Sequence, residues 1–448
     1  MKRSHLLILI GLVLVFGAAQ LYFFAPDKVM AVVQPWLEKI PGHTKSAKPA
    51  KLEEDLSPIR IGYGYYTANK REAFTNGILM AVDQVNASPN GVYKGRKIEA
   101  VEVDLPTSSN PNEMWGFAKD IAEQNFVATI LSAGGGGENA IIGSAVFEKN
   151  RIINLWPYTT TTKLTQHNFK YTFRNVPNNS AQAEVMAKVC AEAGCKNVGI
   201  VYVRSSTGEE LAALLNKHIN HLEDAAVTFY QSIYPDQKDY FPIIARLLTK
   251  HQTKKLDALF FSGSSREAIP FVKLLREVRI DIPVVFGFSQ NDPKFLEADA
   301  HGYSPVYGSV VVGIFDEANE ENKQFIKEYR QKYKKKLSSY TTAAQAYDSV
   351  MLLVEAMRYS KSADPDSMVS YLRYGGALVA GDKKKKRQRH HFQNGEIISQ
   401  DYFLQIVRHR ENKEGKQVYY FDTYRKEDEC IFQVGVSCLG CREVDAAR

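Results

Sequence analysis

The chain has 448 residues, 44% of them hydrophobic and 24% charged. That is longer than one hydrophobic core ordinarily serves, and too apolar for a disordered protein. The net charge of +7 is concentrated in Lys383, Lys384, Lys385, Lys386, Arg387 and Arg389, with smaller clusters at Lys332 to Lys336 and in the N-terminal tail. No interleaved aromatic platform or helix-turn-helix pattern accompanies these charges, which speaks against a nucleic-acid partner. The basic run reads as a solvated loop, with contact to anionic lipid or an acidic partner as the alternative.

Lys2 and Arg3 precede an uncharged apolar stretch from Leu6 to Phe24, about 19 residues, close to the length that crosses a bilayer as a helix. The leading positive charge favours an N-inside orientation and places the remainder outside the cytoplasm. Two readings of residues 1–25 stay open. One is an uncleaved anchor to the inner membrane, supported by apolar residues continuing through Leu21 to Phe24. The other is a signal segment cleaved near Gly17-Ala18-Ala19. Both export the body to the periplasm or cell envelope. No cysteine lies in this region, so a lipoprotein anchor is excluded. Residues 26–58, with Pro35, Pro41, Pro49 and Pro58, read as a linker with a short helix around Val29 to Ile40.

From Ile59 the pattern alternates between strand and helix. Ile59 to Tyr63 reads as a strand. Phe74, Ile78, Ala81, Val82 and Val85 then recur at helical spacing, Lys97 to Val103 alternates like a strand, and Trp115 to Gln124 follows a helical period. Short apolar runs at Val127 to Leu131, Ile152 to Leu155, Val198 to Val203, Ala258 to Phe261 and Val284 to Phe286 suit buried parallel strands. Helical stretches lie near Ala181 to Ala193, Glu209 to His221, Tyr240 to Lys250 and Arg266 to Val278. Repeated strand–helix units predict an α/β protein. A stretch this long favours two doubly wound, Rossmann-like lobes, with a ligand site at the C-terminal ends of the strands.

Five cysteines leave one without a partner inside the chain. Cys190 and Cys195 lie at a helix end. Cys430, Cys438 and Cys441 sit in the tail, where disulfides are the expectation. The Cys438–Cys441 pair lacks the further ligands of a zinc site and the thioredoxin-like setting of a redox pair. His390 and His391 are adjacent rather than at metal-ligand spacing, and no nucleophile motif such as GxSxG occurs. The sequence therefore leads to no expectation of catalysis, metal or cofactor.

The order of segments from Ile59 to Phe421 resembles the branched-chain amino-acid receptor family of type I periplasmic binding proteins. The likeness is carried by Ile59-Arg60-Ile61-Gly62, by Asn76-Gly77-Ile78 through Val82-Asp83-Gln84-Val85-Asn86 with Gly95-Arg96-Lys97-Ile98, and by Phe173-Arg174-Asn175-Val176-Pro177 with Ala181-Gln182-Ala183. It continues in Val198-Gly199-Ile200-Val201-Tyr202 with Gly208-Glu209-Glu210-Leu211, in Tyr340 to Leu353, and in Phe392-Gln393-Asn394-Gly395. The resemblance implies two lobes of non-contiguous segments joined by three crossovers near Arg174, Val312 and Ile397. One lobe would comprise 59–173 and 313–396, the other 174–312 and 397–428, with a tail at 429–448.

The resemblance also implies a site. A family serine that contacts the ligand carboxylate falls in the loop Ser132 to Asn139; Ser132 stands slightly early, so Gly135 and Gly136 occupy the place. Backbone N–H groups there could hold an anion; a loop that only needs tight turns is the alternative. The next loop, Trp156 to Thr162, matches the family's "SP.AT" segment and points to Thr160 above all, with Tyr158 and Thr159; capping of the following helix is the other reading. In the second lobe Arg204-Ser205-Ser206-Thr207-Gly208 replaces "D..YG", losing a tyrosine, introducing Arg204 and offering Ser205 and Thr207. After the next strand Ser262 to Glu267 offers Ser264. Tyr66 and Asn69 complete the expected lining. These departures point away from an ordinary α-amino acid toward a more anionic or neutral polar ligand.

Two functions follow as expectations. One is capture of a small extracytoplasmic ligand (an amino acid, amide or urea-like molecule) for an ABC-type permease or a membrane-bound sensor. The other is an envelope interaction protein whose cleft has degenerated.

Overall fold

The computed structural model describes residues 57–108, 110–134, 137–291, 293–297, 304–334, 339–375, 392–393, 395–397, 402–423, 432–434 and 437–439. The N-terminal apolar segment, the linker before Ser57, the basic run at 383–389 and the side chains of Cys430, Cys438 and Cys441 lie outside the described residues. No described helix is long and apolar enough to cross a membrane.

The first lobe opens with β1 (Ile59–Tyr65), α1 (Ala68–Ala87), β2 (Ile98–Glu102), α2 (Pro111–Ala122), β3 (Ala128–Ser132), α3 (Glu138–Lys149), β4 (Ile153–Leu155), α4 (Lys163–Gln166) and β5 (Thr172–Phe173). Its five strands are all parallel, in the order β2-β1-β3-β4-β5. The second lobe follows with α5 (Asn179–Ala193), β6 (Asn197–Val203), α6 (Ser206–Ile219), β7 (Ala226–Ile233), α7 (Phe241–Lys254), β8 (Ala258–Ser262), α8 (Ser265–Glu277), β9 (Val284–Phe286) and β10 (Val310–Gly313). The chain then adds α9 (Glu320–Tyr333), α10 (Tyr340–Ser360) and α11 (Pro365–Ser370) to the first lobe's core. It closes the short hairpin β11 (Phe392–Gln393) and β12 (Glu396–Ile397), and returns to the second sheet as β13 (Phe403–Glu411) and β14 (Gln417–Thr423).

The second sheet runs β14-β13-β10-β9-β8-β6-β7. It is parallel from β7 to β10 and antiparallel at β13 and β14. The antiparallel edge, the edge strand β7 and the helix α9 are additions to what the sequence pattern predicted. Strand β7 is only half-buried and lacks a continuous apolar run. In α9 only Phe325, Ile326 and Tyr329 are buried among many charged residues, so its helical period is weak.

Both sheets are covered on both faces, as their apolar strands require. In the first lobe Phe74 and Ile78 of α1 pack with Tyr347 and Leu353 of α10 on one face. Met114 and Ile121 of α2 pack with Phe147 of α3 and Trp156 on the other. In the second, Met186 of α5 and Leu211 and Leu215 of α6 cover Val198 and Phe260, while Ile244, Leu247, Phe271 and Leu275 cover Phe261 and Phe286. Contact between α1 and α10 is close enough that a Cβ on Gly77 would lie 2.1 Å from the Ala343 carbonyl oxygen.

Helix α5 shows how local sequence sets an element's limits. The Asn178 side chain accepts from the N–H groups of Ser180 and Ala181, and Gly194 ends the helix at φ 65°. The Cys195 N–H then reaches the Cys190 carbonyl at 3.0 Å. Both thiols are free and buried; their mutual hydrogen bond, followed by burial, pushes the Cys195 thiol far above its ordinary pKa.

Polar contacts tie the passages between the sheets to the cores. Asn175 Nδ2 donates to Ser349 Oγ at 3.0 Å, Gln345 Nε2 to the Asn175 carbonyl at 3.0 Å, and the Tyr402 hydroxyl to the Pro177 carbonyl at 2.7 Å.

Candidate functional site

Strands β1, β3, β4, β6, β8 and β9 all end at one cleft between the lobes, as open α/β sheets arrange their ligand sites. The cleft holds a cavity of about 700 Å³. Tyr66, Tyr158, Thr159, Thr160, Ser205, Thr207 and Ser264 all line it. Gly135 and Gly136 lie outside the described residues, but Gly134 and Gly137 on either side of them line the cavity.

The loops are shaped by residues whose side chains point elsewhere. Arg174, 0% exposed, donates through Nη1 to the carbonyls of Thr159 (3.1 Å) and Thr161, and its Nε reaches Glu396 at 3.2 Å. Asn179 N–H takes the Thr160 carbonyl at 2.7 Å. The backbone of 159–161 is therefore pinned from below while Thr160 remains at the cavity wall. Gly137 precedes α3 at φ 108°, and a Cβ there would meet Thr161 Cγ2 at 2.5 Å. Conformation and space both require glycine.

Several expected hydroxyls already have partners. Ser205 accepts from the Gly208 N–H at 3.2 Å and so caps α6. Ser264 donates to Glu267, which lies on α8 with 2% exposure and also accepts from Arg266 Nε at 3.0 Å. Arg266 Nη1 pairs in addition with Asp236 at 2.9 Å. Arg204 is not among the cavity-lining residues: its guanidinium lies 5.0 Å over the Tyr234 ring and donates to the Tyr234 hydroxyl at 3.0 Å.

Sequence reasoning set Ser132 aside as standing slightly early in its loop and passed over other lining residues, chiefly Lys70, Arg266, Phe288 and Lys294. Ser132 ends β3 and lines the cavity, so both the likeness of its loop and the general position of ligand sites at strand C-termini were signals for it. Phe288 had none, since only the fold brings its ring onto Tyr158, stacked at 6.0 Å and 11° across the cleft. Tyr65 meets Tyr158 edge-on at 5.6 Å, making an aromatic wall beside the hydroxyl-rich loops. Burial pushes the Tyr66 phenol up, Arg266 opposes that rise and Glu267 adds to it; a first-lobe tyrosine thus feels second-lobe charges.

The lobes also touch at the cleft's mouth and flank. Ser206 Oγ donates to Glu138 at 2.7 Å. Glu210 accepts across the lobes from the Thr162 N–H at 3.1 Å and, within the second lobe, from Asn179 Nδ2 at 2.7 Å.

Two α/β lobes around a cleft of hydroxyls, aromatic rings and pinned backbone loops make a bilobal architecture with a cavity at the strand ends, where ligand clefts are commonly built. The chain belongs to the periplasmic binding protein family, whose model matches residues 64–411. An "Amino acid binding protein" of Pseudomonas aeruginosa is 23% identical over 207 residues, 46% of this chain and 53% of that protein. The chain thus spans about half the length of that relative. The "Leu/Ile/Val-binding protein homolog 2" of Brucella abortus is 23% identical over 338 residues, 73% of this chain and 86% of its own. Among solved structures, an ABC transporter substrate-binding protein from Desulfitobacterium hafniense in complex with Leu shares the fold at a TM-score of 0.65 and 23% identity, covering 81% of this chain and 100% of that one. A periplasmic binding protein type 1 from Bordetella pertussis does so at 0.67 and 17%, covering 82% and 100%. The resemblance to branched-chain amino-acid receptors read from the sequence is thus borne out at family level, and the family is one of extracytoplasmic solute-binding proteins.

Proposed function

We propose that this chain captures a small polar solute in the interlobe cleft and presents it to an ABC-type permease or a membrane-bound sensor. The observation that carries this reading is the cavity of about 700 Å³ lined by both lobes, a size suited to enclosing a small molecule. Pinned carbonyls, threonine hydroxyls and an aromatic wall would select the solute by hydrogen bonds and shape without chemistry. The relatives' names support amino acids among the candidates; amides and urea-like molecules stand beside them as what the family resemblance of the sequence implies. An open cavity of this size counts against the degenerate cleft of a purely partner-binding protein.

A thermal-shift screen against amino acids, amides, short dicarboxylates and polyamines tests it. A ligand that binds only the folded state stabilises it by about 2.7 kcal/mol at 100 times Kd. A reproducible shift that Thr160→Ala abolishes supports the receptor. A flat panel on folded protein overturns it in favour of partner binding.

A further inference from the structure

Helix α5 ends in a way that brings two cysteines together. Gly194, at φ 65°, turns the chain out of the helix; its N–H reaches the Ala191 carbonyl at 3.3 Å, and the Cys195 N–H reaches the Cys190 carbonyl at 3.0 Å. This pair of bonds is the Schellman motif, in which the residues joined by the longer-range bond commonly rest their side chains against each other. Here those residues are Cys190 and Cys195. They are 1% and 3% exposed and sit in the core of the second lobe.

Both geometric demands of a disulfide are met. A disulfide spans about 4.4–6.8 Å between Cα atoms and needs side chains that converge. Standard bond lengths put the Cys195 Cα about 1.5 Å from its nitrogen and the Cys190 Cα about 2.4 Å from its carbonyl oxygen, so the 3.0 Å contact keeps the two Cα atoms within about 7 Å. The two thiols hydrogen-bond to each other, which shows that the side chains converge. The turn is also fixed from outside, because Asp257 Oδ2 accepts from the N–H groups of Lys196 at 2.7 Å and Asn197 at 2.8 Å. The family is extracytoplasmic, and disulfides form and persist in such oxidising settings.

We infer that Cys190 and Cys195 become a disulfide in the exported protein, a cross-link that staples the end of α5 to the start of β6. The oxidant is a disulfide donor. One cysteine thiolate attacks a sulfur of the donor, and the other thiolate then attacks the mixed disulfide. The Cys190–Cys195 bond forms, the donor's sulfur–sulfur bond breaks, and two electrons and two protons pass to the donor, which leaves as two thiols. The hydrogen bond to Cys190, and then burial, hold the Cys195 thiol protonated far above its ordinary range. Exchange needs the thiolate, so the bond is made before the second lobe packs around it and exchanges slowly afterwards. At its other end α5 carries Asn179, whose N–H holds the Thr160 carbonyl at 2.7 Å, and Gln182 of the cavity wall. The staple therefore secures a helix on which the cleft depends.

Refolding the reduced, unfolded full chain in a mixture of oxidised and reduced glutathione tests it. Free thiols are then blocked with N-ethylmaleimide under denaturing conditions. Trypsin releases both cysteines on one peptide, Val189–Lys196, bounded by Lys188 and Lys196. That peptide is expected to carry no maleimide and to be about 2 Da lighter than its reduced form, the two hydrogens lost on oxidation. A peptide with two maleimides, or one joined to Cys430, Cys438 or Cys441, overturns the inference. In the folded, oxidised protein the bond should survive a dithiothreitol treatment that removes it once guanidinium has unfolded the chain; equal loss in both states would count against a buried cross-link. The paired variant Cys190→Ala, Cys195→Ala separates this bond from the tail cysteines, which also answer to reductant. Refolding with reductant in place of the glutathione mixture is expected to lower the thermal midpoint by about 4 °C more in the parent than in that variant, and equal shifts overturn the staple. No outcome bears on the receptor reading, which the thermal-shift screen decides.

Discussion

Replacing Glu396 by glutamine leaves Arg174 as a fully buried guanidinium without its counter-charge. Arg174 is 0% exposed and the Glu396 side chain 20%, so the pair sits mostly outside solvent. Removing one partner of a buried pair costs about 3–5 kcal/mol. The glutamine oxygen keeps one hydrogen bond, worth about 1 kcal/mol, and Glu396's partial exposure reduces the rest, so about 2–3 kcal/mol is expected for Glu396→Gln. With a urea slope of about 3 kcal/mol/M for a chain of this size, the unfolding midpoint falls by about 1 M at unchanged slope. The same change reaches the cleft, because Arg174 also holds the carbonyls of Thr159 and Thr161; loosening it frees the loop that carries Thr160 and weakens ligand binding. Urea melts followed by tryptophan fluorescence measure the first effect. A midpoint within about 0.2 M of the parent would refute the role given to this pair.

Gly77→Ala is expected to lower the thermal midpoint by several degrees, because its Cβ would lie 2.1 Å from the Ala343 carbonyl oxygen and force α1 away from α10, an overpacking cost of about 1–3 kcal/mol or more; an unchanged midpoint would show that the contact relaxes freely. Asp366 is held at about 2, below the ordinary carboxylate range, by hydrogen bonds from Lys170 and Tyr171 and by the charges of Arg151 and Lys170. Its stabilising contribution is therefore complete above the unfolded value of about 3.9 and is lost as pH falls from there through about 2. Asp366→Asn should lower the urea midpoint at pH 6 and converge on the parent as pH approaches 2, and a gap that persists at low pH would count against this linkage.

Much of this protein was legible in its residues. The buried parallel strands announce themselves as apolar runs such as Val198 to Val203, because a strand covered on both faces has no polar side to show. Helices with broad apolar faces and clear ends, such as α5 between Asn178 and Gly194, are legible for the same local reason. The half-exposed β7 and the charge-rich α9 were not, since each buries only a few side chains and gets its partners from the fold. The loops around Tyr158 to Thr160 and Ser205 to Thr207 were found through their likeness to a family, and the fold brings them to one cavity. What each side chain does there was decided by tertiary structure alone. Arg204, new to its loop, turns to Tyr234. Glu267 is taken by Arg266 and Ser264, and Arg174 works from beneath the site. That the Ser132 hydroxyl is buried at the cavity without a partner is likewise visible only in the fold. Local sequence dictates period, caps and turns, but the charge and hydrogen-bonding state of a cleft depend on which distant segments meet, as Lys70 and Arg266 do across this one.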